Sequence, residues 1–434
     1  MSMRVVVGNF LDDDLAFAFA DNNAFSDEFP ADYAHDGPGK MAARYPEDAA
    51  AGDPIVDFSL NLVKAAAINW TAVTGTVADS ADQDHGSDST SLKVLGNAAQ
   101  INSLEYEVRS GYSYWLEGWG FGSGAGPEAR ISLYNPKTKH WWNGTAWVAS
   151  VAYLLTGATA AAWVGIAAGA GIRVDVEAAS VTLGPTTTLQ VQLWRIDNTT
   201  GAAVYFDDIF LYAGLDFVGF FGGHNVPPWV TVEWHVLTSA GADTLLATFT
   251  KAKNQFFLAR DAIVFAYEHI LKFDIDAGTI SPPIYFGDVV IGKMLTLSKT
   301  PMEPMQVDHL WKGQSRLETA AGASYIANRS TAPVRRITLN FRFANAEDEA
   351  AALDVWIDQA RGGEVPVVVM PSEKFPALAI YGNIGGEASL LVLLQSATQS
   401  GNALGDLAGS DTTQDHYSDL TVVVDEGAVF TLAS

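Results

Sequence analysis

Tryptophan, tyrosine and carboxylate side chains crowd one stretch of this 434-residue chain. Trp115, Glu117 and Trp119 alternate along the run 112–119. Alternate residues of an extended strand share a face, so two indoles and a carboxylate would lie together. Tyr134 follows, with parity opposite to that of Ile131 and Leu133. Trp141, Trp142 and Trp147 flank Asn143-Gly144, which reads as a turn displaying indoles. Flat rings beside fixed polar groups suit sugar recognition: C–H groups stack on the ring while polar atoms fix hydroxyls. The competing use of each ring, Trp163 included, is to fill a core. At least one exposed platform is expected among them.

Other chemistries find less support. The chain has no Cys, so disulfides and thiolate metal sites are excluded. No Gly-x-Ser-x-Gly, His-Glu-x-x-His or phosphate-cradling loop occurs. His224-Asn225 follows Gly222-Gly223 and reads as a turn. Asp207 and Asp208 are consecutive, so on a regular strand they point to opposite faces, which is wrong for shared acid–base work. A non-enzymatic protein is therefore expected. The clearest basic cluster is Arg335, Arg336 and Arg342, suited either to docking an acidic neighbouring subunit or to a solvated strand face.

The formal net charge is −25. Residues 1–63 hold 3 basic and 12 acidic side chains, and residues 385–434 hold 7 acidic and no Lys or Arg. Such a surface repels phosphate backbones, which argues against nucleic acid as a partner. It suits a protein in a salty setting, or a surface that binds cations. The start, Met1–Phe10, has too short an apolar run for a signal peptide, and Asp12-Asp13-Asp14 follows. Trp141–Ile172 carries no charge and is long enough to span a bilayer. Its glycines and strand-like flanks favour buried strands and a Gly-rich loop, so no membrane insertion is expected.

Apolar residues make up 48% of the chain, in short β-branched and aromatic runs broken by Gly, Asn, Asp and Pro. This predicts a mostly β, multidomain β-sandwich or jelly-roll protein. Residues 64–213 read as one even procession of short strands, closing with Val204–Tyr212. That strand runs straight into Leu215–Asn225, which starts a different pattern. Residues 1–63 and 214–298 are therefore expected to form one interrupted framework domain, since a whole domain is readily inserted in a surface loop. Residues 299–384 form the exception to all-β order, a strand–helix–strand unit. In the alternating strand Ser330–Phe343, Ile337, Leu339, Phe341 and Phe343 face one way; a helix over 346–361 follows, capped by Asn345 and stopped by Gly362-Gly363. Residues 385–434 are expected to be an acidic, β-rich tail.

Two resemblances meet on these residues. Ser91-Leu-Lys-Val94, Tyr112-Ser-Tyr-Trp115 and Val204-Tyr-Phe-Asp-Asp-Ile-Phe-Leu211 make residues 64–213 resemble jelly-roll carbohydrate-binding modules. Phe217–Asn225, Val289–Met294 and the unit from Arg335 to Pro371 make the remainder resemble structural proteins of tailed-bacteriophage virions. The first resemblance implies glycan binding. It also implies a structural calcium held by the closing-strand Asp. Asp207 fits that place best, sharing parity with Ile209 and Leu211; Asp84 and Asp88 are spare candidates, and no acidic partner is evident around Lys64–Trp70. The second implies a virion building block, at the tail tip or as a fibre adaptor. Its expected partners are other tail proteins, further copies of itself and a host-surface glycan. The reading from a different class is a glycan-active enzyme or the carbohydrate-binding subunit of one.

Overall fold

The fold is that of a computed structural model, which describes residues 3–7, 17–19, 43–44, 54–58, 61–63, 66–85, 90–122, 126–158, 161–176, 186–196, 202–238, 241–251, 255–274, 284–297, 301, 306–310, 315–318, 324–327, 334–343, 366–370, 379–384 and 418–426. The chain is nearly all β, as composition predicts. Among the described residues helix is limited to two single 3-10 turns, Ala67–Asn69 and Ile166–Gly169. The stretch 141–172 forms short strands and one of these turns, and no described helix is long and apolar enough to cross a membrane.

Between Trp70 and Ala213 the described strands join into one 12-stranded sheet, folded into two layers. One layer contains Trp163–Gly165, Ser113–Gly122 and Val204–Ala213; the other contains His140–Trp142, Glu128–Asn135 and Thr186–Ile196. The long Ser91–Ser103 strand serves both. Its Leu92–Val94 segment pairs with Val204–Phe206, and its Gln100–Asn102 segment pairs with Gln192–Trp194. The bend falls at Gly96, next to Gly75 of the paired strand Trp70–Ser80. Both have positive φ, 115° and 85°. A Cβ on Gly96 would stand 2.7 Å from the Gly75 Cα, so this corner accepts only glycine. Inward alternation then builds the core between the layers. Ile101, Ile131, Leu133, Val191 and Leu193 meet Val94, Leu116, Val204, Phe206 and Leu211, all fully buried.

The framework surrounds this unit in sequence. Pro54–Phe58, which precedes it, pairs with Glu268–Asp274, which follows it, in a sheet that also holds Thr231–Leu237, Asp243–Thr248 and Phe17–Phe19. Leu215–Phe220 pairs with Phe256–Val264 and with Val289–Gly292. Every residue of Leu215–Phe220 is buried. Val218 and Phe220 join the large core that contains the 70–213 unit, while Phe217 and Phe221 pack with Val6, Val290, Val368, Met370 and Tyr381.

The last sheet has seven strands, in the order Met294–Thr296, Arg4–Val7, Val367–Met370, Ile380–Ile384, Ser418–Glu426, Val334–Phe343 and Gln306–Leu310. It joins strands from segments expected to be separate. Arg4–Val7 pairs with Met294–Thr296 on one side and with Val367–Met370 on the other. From the expected tail, Ser418–Glu426 lies inside the sheet, with Val422 and Val424 fully buried. Alternation along one segment shows that a strand exists but not which strand it pairs with. Ile337, Leu339 and Phe341 are buried as alternation predicts. The helix expected over 346–361 lies outside the described residues.

The basic cluster is not a free docking patch. Arg335 donates to the Ala379 carbonyl at 2.9 Å and to Gln255 Oε1 at 3.2 Å, tying this sheet to the Gln255 segment. Arg336 stands in register between Asp308 and Asp425, and Arg342 opposite Asp419.

Asp216, the second residue of the Leu215–Phe220 strand, is buried and accepts the Met294 N–H at 2.5 Å. Burial pushes its carboxyl up to about 6; the Met294 N–H and the nearby Lys293 and Arg4 charges act in the other direction. With the folded value above the ordinary 3.8, its contribution to stability is complete below about pH 4 and declines as pH rises through about 6. A shift of this size corresponds to roughly 3 kcal/mol. Asp216→Asn should therefore gain stability relative to the native chain between pH 4 and pH 7, as denaturant melts at both pH values would show. Equal differences at the two pH values would refute the assignment.

Candidate functional site

The two outer faces of the 70–213 unit carry its aromatic residues, and they differ in what already covers them. On the first face lie Trp115, Glu117 and Trp119, as parity predicts. Trp115 Nε1 donates to Glu117 Oε1 at 3.0 Å, and the Tyr212 hydroxyl donates to the same oxygen at 2.6 Å. Burial pushes the Tyr212 phenol up, and the Glu117 carboxylate adds to this. The framework turn between Phe256–Val264 and Glu268–Asp274 packs here. Phe265 tilts onto Trp115 at 5.1 Å between ring centroids, and Tyr267 meets Phe210 edge-on at 5.0 Å. Trp115 thus packs against the framework, and Glu117 ties Trp115 to Tyr212 within the unit, where the sequence suggested an open platform.

Trp119 is covered differently. His85 stacks on its indole at 3.8 Å with 23° between planes. Gly169, with φ +89°, presses on the indole so closely that a Cβ there would stand 2.6 Å from Cζ2. The His85 loop is held by the closing strand. Asp207 Oδ2 accepts the His85 backbone N–H at 2.8 Å, and Asp208 Oδ2 lies 2.7 Å from His85 Nδ1. A bulge allows both contacts. Register shifts between Asp207 and Phe210, and Asp208 has φ 47°. Asp207 consequently pairs in register with Trp119 on the outer side, while Ile209 and Leu211 point inward. The expected inward parity of Asp207 and the opposed directions of the two carboxylates are both corrected by this bulge.

The described residues do not fit the implied calcium. Calcium takes about six to eight oxygen ligands. Asp207 Oδ1 accepts the Asp208 N–H at 2.9 Å and Oδ2 that of His85, so both oxygens serve the backbone. Asp208 is committed to His85. Among the described residues no three Asp, Glu or His side chains converge as a metal site. Asp88 lies outside the described residues.

The second outer face is organised as a site. Its strands are His140–Trp142, Glu128–Asn135, Thr186–Ile196 and the second half of Ser91–Ser103. Three rows cross them. Trp141, Tyr134 and Gln190 form one; Ser132, Gln192, Asn102 and Thr71 the next; Arg130, Trp194 and Gln100 the third. A hydrogen-bond chain runs through the middle. Trp194 Nε1 donates to Ser132 Oγ at 2.8 Å, Ser132 donates to Gln192 Oε1 at 3.3 Å, and Trp141 Nε1 donates to the same oxygen at 2.9 Å. Ser132 and Gln192 are buried at 0% and 3% exposure beneath half-buried indoles. Each indole is pinned by its one polar atom, so both ring orientations are set before any ligand arrives. Tyr134 leans on Trp141 at 4.6 Å, and Tyr153 meets Trp194 edge-on at 5.9 Å. Gln190 and Trp194 lie four residues apart on one strand, roughly 13 Å at about 3.3 Å per residue. The aromatic pairs therefore bracket a polar floor of oligosaccharide length.

Tyr134 and Trp141 of the expected set lie on this face. Trp142 does not: it is 4% exposed, packs on Trp147 at 5.4 Å and donates to the Arg173 carbonyl at 3.2 Å. Trp147 donates to the Asp175 carbonyl at 3.0 Å. The hairpin 140–148 closes the core edge with these two indoles and shows only Trp141 outward. Its turn is built by Asn143 Oδ1, which accepts the Thr145 and Ala146 N–H groups at 2.9 and 2.8 Å. Trp194, Tyr153, Ser132 and Gln192 were missed from sequence. Their signal was available in the alternation Gln190, Gln192, Trp194 beside Ser132 and Tyr134.

No family model matches the chain, and no curated protein matches it. Solved structures similar to parts of it include the CBM22-1 xylan-binding domain of Paenibacillus barcinonensis Xyn10C, at 15% identity and TM-score 0.24 over 38% of this chain and 97% of that one. TmCBM61 in complex with β-1,4-galactotriose matches at 12% identity and TM-score 0.22, over 34% and 91%. The enzymatically active domain of bacteriophage CBA120 tailspike protein 4 matches at 15% identity and TM-score 0.24, over 36% and 21%. Likeness at this level decides neither family nor activity.

If the first face is a joint between unit and framework, Trp115 and Phe265 are energetically coupled. A double-mutant cycle with Trp115→Ala and Phe265→Ala should show a coupling of about 1 kcal/mol in denaturant melts. Strict additivity would refute the joint.

Proposed function

We propose that this chain is a non-enzymatic structural component of a tailed-phage virion, at the tail tip or as a fibre adaptor. In this reading its 70–213 unit binds a host-surface glycan through the Trp141–Trp194 face. The observation that carries the binding role is the chain from Trp194 through Ser132 and Gln192 to Trp141. A core has no need to fix two indoles by their N–H groups while leaving their rings half-exposed. A binding face does, because ordering rings in advance lowers the cost of association. The Gln192 carbonyl accepts from both donors, so this buried side chain ties the two indoles together. The virion role is supported by the resemblance of Phe217–Asn225, Val289–Met294 and Arg335–Pro371 to tail proteins. A frame in which one strand is buried on both faces also suits a rigid building block.

Affinity electrophoresis through host polysaccharide tests the binding face. Trp141→Ala and Trp194→Ala should each weaken retention about tenfold or more, since truncating a central aromatic anchor removes at least about 1.4 kcal/mol. Trp119→Ala, under His85, should leave retention within twofold. Unchanged retention in Trp194→Ala would refute the face. Incubation should leave the polysaccharide chain length unchanged, and new reducing ends would refute a non-enzymatic role. Mass spectrometry of purified phage particles should recover this chain among the tail proteins; its absence would refute the virion assignment.

A further inference from the structure

The charges around the Trp141–Trp194 face narrow its ligand, and this step rests on that face being the glycan site. Its floor is made of neutral side chains: Ser132, Gln190, Gln192, Asn102, Gln100 and Thr71. The charged residues at its Trp194 end are Arg130 and Glu128, and they neutralise each other. Arg130 Nη2 donates to Glu128 Oε2 at 2.7 Å, and its guanidinium lies over the Tyr153 ring at 4.7 Å. The second Glu128 oxygen accepts the Gly157 N–H at 2.7 Å. Hydrogen bonding to Arg130 holds the Glu128 carboxyl below its ordinary value, so the pair stays ionised and internally matched at neutral pH. Arg130 is thus matched in charge by Glu128 and covers the Tyr153 ring, while Glu128 holds Gly157.

The opposite end gives the same answer. Thr188 lies two residues beyond Gln190 and is paired in register with Glu107, which is exposed and acidic. Lys137, in the hairpin past Tyr134, donates from Nζ to the Thr186 carbonyl at 3.1 Å. At this end the exposed Lys137 and Lys139 lie in the hairpin turn, outside the rows of the floor, and the exposed Glu107 opposes them in charge. Recognition by stacking and by amide and hydroxyl hydrogen bonds needs no charge on the ligand.

We infer that this face selects an uncharged polysaccharide and rejects polyuronates, sulfated glycans and phosphate-bearing wall polymers. The test compares full-length chain on native affinity gels cast with neutral polysaccharides (glucan, xylan, galactan, mannan) and with anionic ones (polygalacturonate, alginate, a sulfated glycan). Each gel is run at low salt and at about 0.5 M NaCl, where charges are screened within a few ångströms. At least one neutral polymer should retard the protein equally at both salt concentrations, and Trp194→Ala should lose about tenfold or more of that retardation. Anionic gels should give no retardation. Retardation by an anionic polymer that disappears in salt and in Trp194→Ala would overturn the ligand class while keeping the face. Anionic retardation that survives Trp194→Ala, or no retardation in any gel, would overturn both.

Discussion

The structure depends on one strand that has no exposed side. Leu215–Phe220 leaves the 70–213 unit directly, and all six of its residues are buried. Val218 and Phe220 extend the core of that unit, and Phe217, followed by Phe221, extends the core beneath the seven-stranded sheet. A strand buried on both faces needs cover from two different layers. It therefore fixes the unit, the framework and the seven-stranded sheet to one another. Asp216 and Gly219 are its two non-hydrophobic members, and both are explained by contact. Asp216 accepts the Met294 N–H, and a Cβ on Gly219 would stand 2.9 Å from that of Phe257.

That constraint decides which face of the 70–213 unit is free. Because the closing strand continues into the framework, the layer that contains it must lie against the framework. The Phe265 turn then reaches Trp115, and Tyr267 reaches Phe210. The far half of the same face is closed by the His85 loop over Trp119. The second layer has no such neighbour among these contacts. Its outward residues are held by bonds within the face, from Trp194 to Trp141 and from Gln100 to Asn102. A joint and a binding face thus arise on opposite sides of one sandwich from the same connectivity.

Much of the architecture was legible in sequence. The β class and the inward set Ile337, Leu339 and Phe341 follow from period-two alternation. Alternation failed where the backbone departs from a regular pleat. The bulge after Asp207 reversed the parity of the closing strand and brought both carboxylates to His85. It failed again for strand partners, since nothing local to Arg4–Val7 points to Val367–Met370 as its neighbour. Trp194, Ser132 and Gln192 were missed for a related reason. Trp194, Ser132, Gln192 and Trp141 come from three strands, and only register brings them together.

The failure over Trp115 and Trp119 shows how to weigh aromatic clusters in such chains. Both were chosen because they share a face with a carboxylate, and they do share it. The carboxylate binds Trp115 and Tyr212, and the indoles carry Phe265 and His85. A shared face is therefore necessary for a platform but insufficient. What separates the two sides is the destination of the polar atoms. On the joint, ring surfaces are covered by other rings, and the polar atoms lock neighbouring segments. On the Trp141–Trp194 side, the polar atoms lie beneath the rings and leave half of each ring outward. Burying Ser132 and Gln192 would be costly if they were unpaired. Here the two indole N–H groups satisfy them, so the bonds that stabilise the sheet are the same bonds that orient its recognition surface.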